Sequence, residues 1–427
     1  MKVLLKDVII VPTSNYTAQP SDIFIDNGII SQIGKDIKNS ADKIIHQKNL
    51  HVSVGWMDCF SNFCDPGEEH KETLETGSQA AAAGGYTEVM LIPNTNPVVH
   101  NKSQIEYIVQ KSKDLPVTIH PVGAITKNTD GKELSEMFDM QNSGAIAFSD
   151  GVNSLQSSGI LLKAMEYIKA FDGIIIQLPD DKSIAGTGLM NEGITSIRAG
   201  LPGRPGIAEE ILIARDIELL KYTNSKIHFT GISTKKSMEL ISKAKKDGLK
   251  VSCSVTPFHL FFCDEDLKNY DTNLKVNPPL RAKADMQSLR EGIKNKEIDF
   301  IASHHLPQHW DDKTCEFEFA AYGMIGLESV FGVASICGVK SSDFIKMQTE
   351  NIRKIFNIEM PEIKPGAKAN LTLFDPNAEY IFEEENIFSK SRNSPYIGRK
   401  LKGKSFGIIN GDKVFLPQEL LMETKTN

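Results

Sequence analysis

Histidines, cysteines and carboxylates near predicted strand ends are the side chains of this chain best suited to chemistry. His304 and His305 stand at the end of a predicted strand, and His309 lies four residues beyond His305. Such side chains bind zinc and transfer protons. Adjacent side chains on a strand point in opposite directions, so His304 and His305 are not expected to bind one ion together. The candidate donors are His304, His305, His309, Cys59, Cys64, Asp65 and Asp150.

The elements that would position these side chains alternate between strand and helix. The predicted strands are Val52–Met57, Thr87–Ile92, Val117–Val122, Ala145–Phe148, Gly173–Leu178, Lys226–Phe229, Lys250–Val255 and Ile298–Ser303. The main predicted helices between them are Lys102–Lys113, Gly159–Phe171, Ile207–Tyr222, Lys235–Lys246 and Ala284–Lys294. Alternation of this kind predicts an α/β protein with a parallel sheet, and eight units predict a closed (β/α)8 barrel. Chemistry in such barrels sits on the loops that follow the strands.

Short β segments occupy both ends of the chain. Asn27-Gly28 and Asn410-Gly411 are typical hairpin turns. We therefore predict that residues 1–51 and 366–427 form one composite β-sandwich domain, and that residues 52–365 form the barrel.

Composition excludes several classes of protein. The net charge is −7, with no Lys/Arg cluster of the kind that binds nucleic acid. No run of 18 apolar residues is present, so no membrane span is predicted. Six cysteines are scattered without a C-x-x-C pair, which is typical of reduced thiols and predicts a cytoplasmic protein.

Several segments resemble dihydroorotase of the long bacterial type, a cyclic amidohydrolase of the amidohydrolase superfamily. The resemblance extends from about residue 50 to residue 412 and includes Pro66–Gly85, Pro93-Asn-Thr-Asn-Pro97, Ala147-Phe-Ser-Asp150, Met190-Asn-Glu-Gly193, Gly200-Leu-Pro-Gly203, Tyr270–Arg281, Gly323–Glu328 and Ser389–Asn393. It implies a barrel, a small composite β domain and descent from an enzyme of pyrimidine biosynthesis. That enzyme interconverts carbamoyl-aspartate and dihydroorotate at a zinc centre.

The positions that the resemblance assigns to the metal centre carry other residues. The two histidines of the family's Asp-x-His-x-His-x-Arg motif are replaced by Phe60 and Asn62. Later histidine ligands are replaced by Gln177 and Gly231. One carboxylate of the family's Asp-Asp pair remains as Asp150, and either member of the pair can correspond to it. We therefore expect no metal, with a repurposed zinc site as the alternative.

The resemblance also assigns catalytic and substrate-binding positions. His304 stands at the position of the catalytic aspartate, and Gln308 replaces a substrate-binding histidine. Cys64 replaces the arginine that holds the substrate carboxylate, so a bidentate clamp is lost. Asn94 and Asn277 match positions that contact the dihydropyrimidine. Arg281 matches the motif too and is expected to tie its loop down. The retained His228 is expected to be a hydrogen-bonded core residue.

These replacements lead to three hypotheses about function. Zinc lowers the pKa of bound water from about 15.7 to about 7, which corresponds to roughly 12 kcal/mol, and no single histidine supplies that. The first hypothesis is a non-catalytic homologue that acts as a scaffold or a regulatory partner. The alternatives are an active dihydroorotase or related cyclic amidohydrolase with an unorthodox site, and a small-molecule binding module for carbamoyl-aspartate or dihydroorotate.

Partners are expected from the resemblance alone. The family implies a homodimer, and aspartate carbamoyltransferase or an active dihydroorotase is the expected partner of a scaffold. Neither nucleic acid nor a membrane is expected to bind.

Overall fold

The structure is a computed structural model that describes residues 1–11, 20–417 and 421–422. Its strands are β1 Lys2–Ile10, β2 Pro20–Asp26, β3 Ile29–Gly34, β4 Lys43–His46, β5 His51–Val54, β6 Trp56–Ser61, β7 Tyr86–Leu91, β8 Thr118–Gly123, β9 Ala147–Phe148, β10 Ile175–Gln177, β11 Met190–Asn191, β12 Gly203–Arg204, β13 Ile227–Phe229, β14 Val251–Val255, β15 Phe300–Ile301, β16 Asn370–Phe382, β17 Arg399–Asn410, β18 Lys413–Phe415 and β19 Leu421–Met422.

The helices cover both the barrel and its loops. They are α1 Leu74–Ala83, α2 Lys102–Lys111, α3 Met137–Asn142, α4 Ser158–Lys169, α5 Lys182–Ala185, α6 Ile194–Ala199, α7 Ile207–Thr223, α8 Lys235–Lys246, α9 Pro257–Phe261, α10 Lys283–Lys294, α11 Trp310–Lys313, α12 Val330–Ile336, α13 Ser341–Lys346 and α14 Ile352–Phe356. Within the described ranges, none of these helices is long and apolar enough to span a bilayer.

Eight parallel strands form the predicted barrel, in the order β6-β7-β8-β9-β10-β13-β14-β15. The backbone N–H of Asn62 donates to the carbonyl of His305 over 2.9 Å, which joins the first strand to the last at the mouth. Asp58 on β6 strengthens this seam because it accepts from the backbone N–H of Ser303 over 2.8 Å. The predicted (β/α)8 fold is confirmed.

Local sequence explains why the barrel elements form where they do. Every residue of β6 and β7 is buried, as expected for strands of a parallel sheet that is covered on both faces. Thr73 and Asn101 cap α1 and α2, because each side chain accepts from a backbone N–H of the first helical turn. The strand ends therefore stand at fixed positions around the mouth.

A second sheet combines strands from both ends of the chain, in the order β18-β17-β16-β5-β1-β2-β3, with β4 paired to β1 and β19 paired to β4. Asn27-Gly28 forms the predicted two-residue hairpin between β2 and β3. The second predicted hairpin is present one residue later, because Asn410 pairs with Lys413 and so closes the turn. The predicted domain limits, 1–51 with 366–427 and 52–365, remain a prediction.

The predicted single strand Val52–Met57 is wrong. It divides into β5, which pairs with β1 and β16 in the composite sheet, and β6, which belongs to the barrel. Gly55 separates them because a Cβ at that position would lie 2.1 Å from both the Oδ1 of Asn370 and the Oγ1 of Thr87. Only glycine lets the chain pass so close to its neighbours.

Candidate functional site

The centre of the barrel mouth is filled by Phe60, Gly231 and His304, three residues that stand at or just beyond the ends of β6, β13 and β15. The rings of Phe60 and His304 stack with their centroids 4.3 Å apart. A Cβ added at Gly231 would lie 2.6 Å from the Cε1 of His304, which is closer than real side chains approach. We call these three residues the filled centre. Its ring packing occupies the space that a larger residue at position 231 would need.

His304 is buried and held in this packing by a hydrogen bond. Its Nε2 lies 2.8 Å from the Oγ1 of Thr230, which in turn accepts from the hydroxyl of Ser254. Burial, reinforced by the neighbouring His259, lowers the pKa of His304 to about 3. A group with so low a pKa is a weak base near neutral pH, where a general base should have a pKa close to the working pH.

His228 lies on β13 and completes the same chain of polar contacts. Its Nε2 is 3.0 Å from the Oγ of Ser254, its Nδ1 is 2.8 Å from the Oγ of Ser252, and its ring stacks on Phe300 at 4.7 Å. Burial lowers its pKa well below the usual value. His228 is therefore a neutral, hydrogen-bonded core residue.

Asp150, the carboxylate that remains, is bound to Thr126. It accepts from the backbone N–H of Thr126 over 2.9 Å and from its hydroxyl over 2.6 Å. Burial raises the pKa of Asp150 to about 6 in spite of these hydrogen bonds. The side chain is satisfied by protein groups.

The two amides at former histidine positions are also engaged. Asn62 donates to the carbonyl of Asn94 over 3.0 Å and accepts from the backbone N–H of Cys64 over 2.8 Å. Gln177 donates to Asp216 on α7 over 3.3 Å and accepts from the N–H of Leu155. Asn62 thus braces the loop after β6, and Gln177 joins β10 to α7.

These positions do not fit zinc. A catalytic zinc site takes about three nitrogen, sulfur or oxygen donors from the protein, whereas Phe60 has no donor atom and Gly231 has no side chain. Among residues 1–11, 20–417 and 421–422, no three His, Cys, Asp or Glu side chains come together to hold a metal ion.

Three of the other predicted donors, Asp65, His305 and His309, have structural partners of their own. Asp65 is buried and accepts from Lys111 over 2.8 Å and from the hydroxyl of Tyr107 over 3.0 Å. His305 lies 3.5 Å from Glu72. His309 lies 3.3 Å from Asp311 near the surface. Cys59 is a free, buried thiol.

The predicted substrate positions differ in how far they are satisfied. Asn94 donates to the carbonyl of Asp150 and accepts from the N–H of Val152, so it braces two loops. Gln308 donates to the carbonyl of Tyr322. Its Oε1 is buried without a hydrogen-bond partner in the described part of the chain, and so is the Oδ1 of Asn277. Two acceptors at the mouth are therefore still unused.

Backbone strain marks the same centre. Phe60, Cys64 and His304 have φ values of 71°, 58° and 45°, in the left-handed region that bulky residues rarely adopt. Cys64 is also buried, and burial raises the pKa of its thiol. Each such conformation costs about 1–3 kcal/mol and persists only where the surrounding fold imposes it. Backbone strain of this kind is concentrated at functional sites. The fold therefore imposes unusual backbone conformations on residues at the barrel mouth.

A buried ionic network lies beside the filled centre, and the sequence pointed only to Arg281 among its members. Arg281 donates to the carbonyl of Arg204 over 2.9 Å and to the hydroxyl of Ser233 over 2.9 Å, and it lies 3.7 Å from Glu209. Arg204 forms an ion pair with Asp180. We call Asp180, Arg204, Glu209 and Arg281 the rim network. Arg281 ties down its loop as expected, whereas spacing gave no signal for its partners.

Known proteins are similar to this chain in sequence. A family model described as dihydro-orotase-like matches residues 51–237. The dihydroorotase of Acetivibrio thermocellus is 40% identical over 425 residues, covering 98% of this chain and 100% of that relative. The dihydroorotase of Geobacter metallireducens is 37% identical over 420 residues, covering 97% and 99%.

Solved structures support the fold independently. The L-hydantoinase of Arthrobacter aurescens superposes with a TM-score of 0.81 at 22% identity, covering 95% of this chain and 93% of that one. The dihydropyrimidinase of Brevibacillus agri NCHU1002 gives a TM-score of 0.82 at 17% identity, covering 99% and 96%. The barrel with its composite sheet is thus the fold of these two solved structures. The extent of the sequence match then places the chain more narrowly: it belongs to the dihydroorotase family.

Proposed function

We propose that this protein is a non-catalytic member of the dihydroorotase family, which acts as a scaffold or a regulatory partner for aspartate carbamoyltransferase or for an active dihydroorotase. The observation that carries the proposal is the filled centre. Phe60 and His304 stack on each other, and His304 stands against Gly231, where the family has histidine. Residues at former ligand positions thus pack against the residue at the former catalytic position.

Two further features support the proposal. The pKa of His304 is lowered to about 3, so a histidine in place of the catalytic aspartate is a poor base. The buried side chains of the rim network are paired with one another, which is consistent with a role in stabilising the fold. A homodimer is part of the proposal on the grounds of the family alone, and sedimentation of the pure protein tests it. Residence in the cytoplasm remains an expectation.

A ring-opening assay tests the absence of catalysis. The purified protein is incubated with dihydroorotate, and in the reverse direction with carbamoyl-aspartate, in buffer that contains zinc. The dihydroorotase of Acetivibrio thermocellus serves as the positive control. We expect a rate equal to that of buffer alone. Turnover at about 1–10³ s⁻¹, the usual enzymatic range, that a chelator abolishes would contradict the proposal.

A binding experiment tests the scaffold role separately. Aspartate carbamoyltransferase and an active dihydroorotase from the same source are each mixed with the protein and sedimented. We expect a complex with one of them and a rise in its melting temperature. Independent sedimentation with both, and no stabilisation of either, would remove the scaffold role.

The names of the bacterial relatives favour the alternative of an active dihydroorotase or a related cyclic amidohydrolase. A different observation favours a binding module for carbamoyl-aspartate or dihydroorotate. The unpartnered oxygens of Asn277 and Gln308 are acceptors that a ligand amide could satisfy. Calorimetric titration with each compound tests this second candidate. Saturable heat with one of the two compounds would support a binding module, and no heat with either would count against it.

A further inference from the structure

Two segments beside the barrel mouth carry most of the net negative charge of the protein. We define residues 264–271 and 309–322 as the acidic lobe. These 22 residues contain eight carboxylates and two lysines, a formal charge of −6, whereas the entire chain has a net charge of −7. The carboxylates are Asp264, Glu265, Asp266, Asp271, Asp311, Asp312, Glu316 and Glu318.

Buried lysines join the two segments into one surface. Lys313 is buried and donates to the carbonyls of Thr272 and Ala321 over 2.9 and 2.6 Å. Lys275 is also buried and donates to the carbonyls of Phe317 and Glu318 over 2.8 and 2.9 Å. Both ammonium groups point inward onto backbone oxygens. These contacts hold the two segments together beneath the exposed carboxylates Glu265, Asp266, Asp311, Glu316 and Glu318.

Exposed aromatic side chains accompany these charges. Trp310 is 70% exposed, Phe319 is 75% exposed and Tyr270 is 46% exposed. A groove of about 670 Å³ runs between the two segments and is lined by Tyr270–Thr272 and Lys313–Glu316. Large exposed aromatic groups beside a groove are typical of interaction sites, where aromatic residues are enriched.

The acidic lobe stands at the mouth of the barrel. Its longer segment follows β15. Gln308, which immediately precedes that segment, donates to the carbonyl of Tyr322 at its end over 2.8 Å. An isolated bridge between His305 and Met324 closes the same loop onto the strand ends. A protein bound to the lobe would therefore lie beside the filled centre.

We propose that the acidic lobe is a docking surface for a partner protein that presents a basic segment with interspersed apolar side chains. Charge complementarity selects this occupant, because like charges across an interface oppose association while opposite charges speed encounter. A two-fold contact between two copies would place −6 against −6, so a symmetric self-contact is disfavoured. The inference rests on the proposed function for its biological role, because a scaffold needs a partner surface.

The two tryptophans provide a direct readout. Trp56 is fully buried in the core, so changes in exposure to solvent report on Trp310. The probe is a synthetic dodecapeptide of alternating lysine and leucine, titrated into the full-length protein, with a glutamate–leucine dodecapeptide as the matched control. We expect saturable protection of Trp310 from a neutral quencher with the first peptide and none with the second. Binding should weaken at least tenfold in high salt because exposed charges are screened.

Matched variants locate the site. Glu316→Gln with Glu318→Gln should weaken peptide binding about tenfold, whereas Glu384→Gln with Glu385→Gln, two exposed carboxylates elsewhere, should change it less than twofold. Phe319→Ala should weaken binding, whereas Tyr222→Ala, an aromatic side chain that is 77% exposed on α7, should not.

Three results would overturn the proposal: no binding of the lysine–leucine peptide, equal losses in the lobe and control variants, or dissociation of the protein's own assembly by Phe319→Ala. The last would place a second copy on the lobe. These outcomes are independent of ring opening. Ring opening together with peptide binding would refute the non-catalytic function alone. Absence of both ring opening and peptide binding would refute the docking surface alone.

Discussion

The filled centre and the rim network lie side by side at the barrel mouth but differ in chemistry. At the centre, Phe60 and Gly231 offer no donor atoms and the pKa of His304 is lowered to about 3. At the rim, Arg281 and its partners are ionisable side chains that are almost fully buried and paired with one another. The two regions therefore differ in the donor atoms that they offer and in the pairing of their buried side chains.

The difference has a physical basis. Replacing donors at the centre with an aromatic ring and a glycine leaves few buried charges to compensate, so the packing can close. Removing one partner from a buried ion pair leaves the other charge without compensation, which is strongly destabilising. The rim therefore cannot change one residue at a time, whereas the centre can.

The largest effect is expected at the rim. Arg281→Ala should lower the free energy of unfolding by about 3–5 kcal/mol, because Glu209 would remain buried without its cation. Urea denaturation followed by circular dichroism measures the loss. Arg198→Ala, at an exposed site on α6, is the control and should change stability by less than about 0.5 kcal/mol. Equal effects at the two sites would mean that the rim is not a stabilising network.

The next effect is expected at the centre. Gly231→Ala should cost about 2–4 kcal/mol, because its φ of 65° disfavours a side chain and the new Cβ would lie 2.6 Å from His304. Gly248→Ala, at a φ of 81° with no atom within 4 Å, should cost only about 1–2 kcal/mol.

A double variant separates the clash from the backbone cost. Gly231→Ala with His304→Ala should be more stable than the sum of the two single changes predicts, because the clash is removed. Strict additivity would show that the contact between residues 231 and 304 does not fill the centre.

A smaller effect is expected in the pH dependence of the free energy of unfolding, and it arises from His259. His259 is buried, its Nε2 lies 3.2 Å from the carbonyl of Pro279, and burial lowers its pKa from 6.5 to about 3. The unfolded state therefore binds the extra proton between these two values, and stability is lost as the pH falls below about 6.5. At pH 5 the loss relative to pH 8 should be about 2 kcal/mol larger than in His259→Gln. Parallel stability profiles for the two proteins between pH 8 and 5 would show that His259 is not held neutral.

The smallest effect is expected for a single reversion. His304→Asp should change the rate of dihydroorotate ring opening by less than a factor of two, because an aspartate without a metal has no activated water from which to accept a proton. A chromatographic assay of carbamoyl-aspartate measures the rate. A gain of a hundredfold or more from this one change would show that the rest of the centre is still competent.

Sequence patterns predicted the fold because the relevant signals are local. Alternating strand and helix signals located seven of the eight barrel strands, whereas the eighth, β6, was merged with β5. The predicted helix Lys235–Lys246 coincides with α8. The division of Val52–Met57 was missed because the close approach that requires Gly55 comes from Thr87 and Asn370, far away in the chain. A strand break that is caused by distant residues leaves no periodic pattern in the local sequence.

The site could be predicted only in part. The resemblance identified Phe60, Asn62, Gln177 and Gly231 as replaced positions, but it gave no account of what fills the space. The contact between Gly231 and His304, and the pairing of Arg204 with Asp180, depend on how separate strand ends meet. Those contacts join residues from different barrel units, so neither composition nor spacing contains them.

Metal content is the most direct test of the central claim. The protein is expressed with zinc in the medium, purified without chelator and measured by elemental mass spectrometry beside a variant that carries Phe60→His, Asn62→His, Gln177→His, Gly231→His and His304→Asp. The account predicts far less than one zinc per chain in the natural protein and a clear gain in the variant. Near-stoichiometric zinc in the natural protein would contradict the account, because the filled centre would then be a metal site after all.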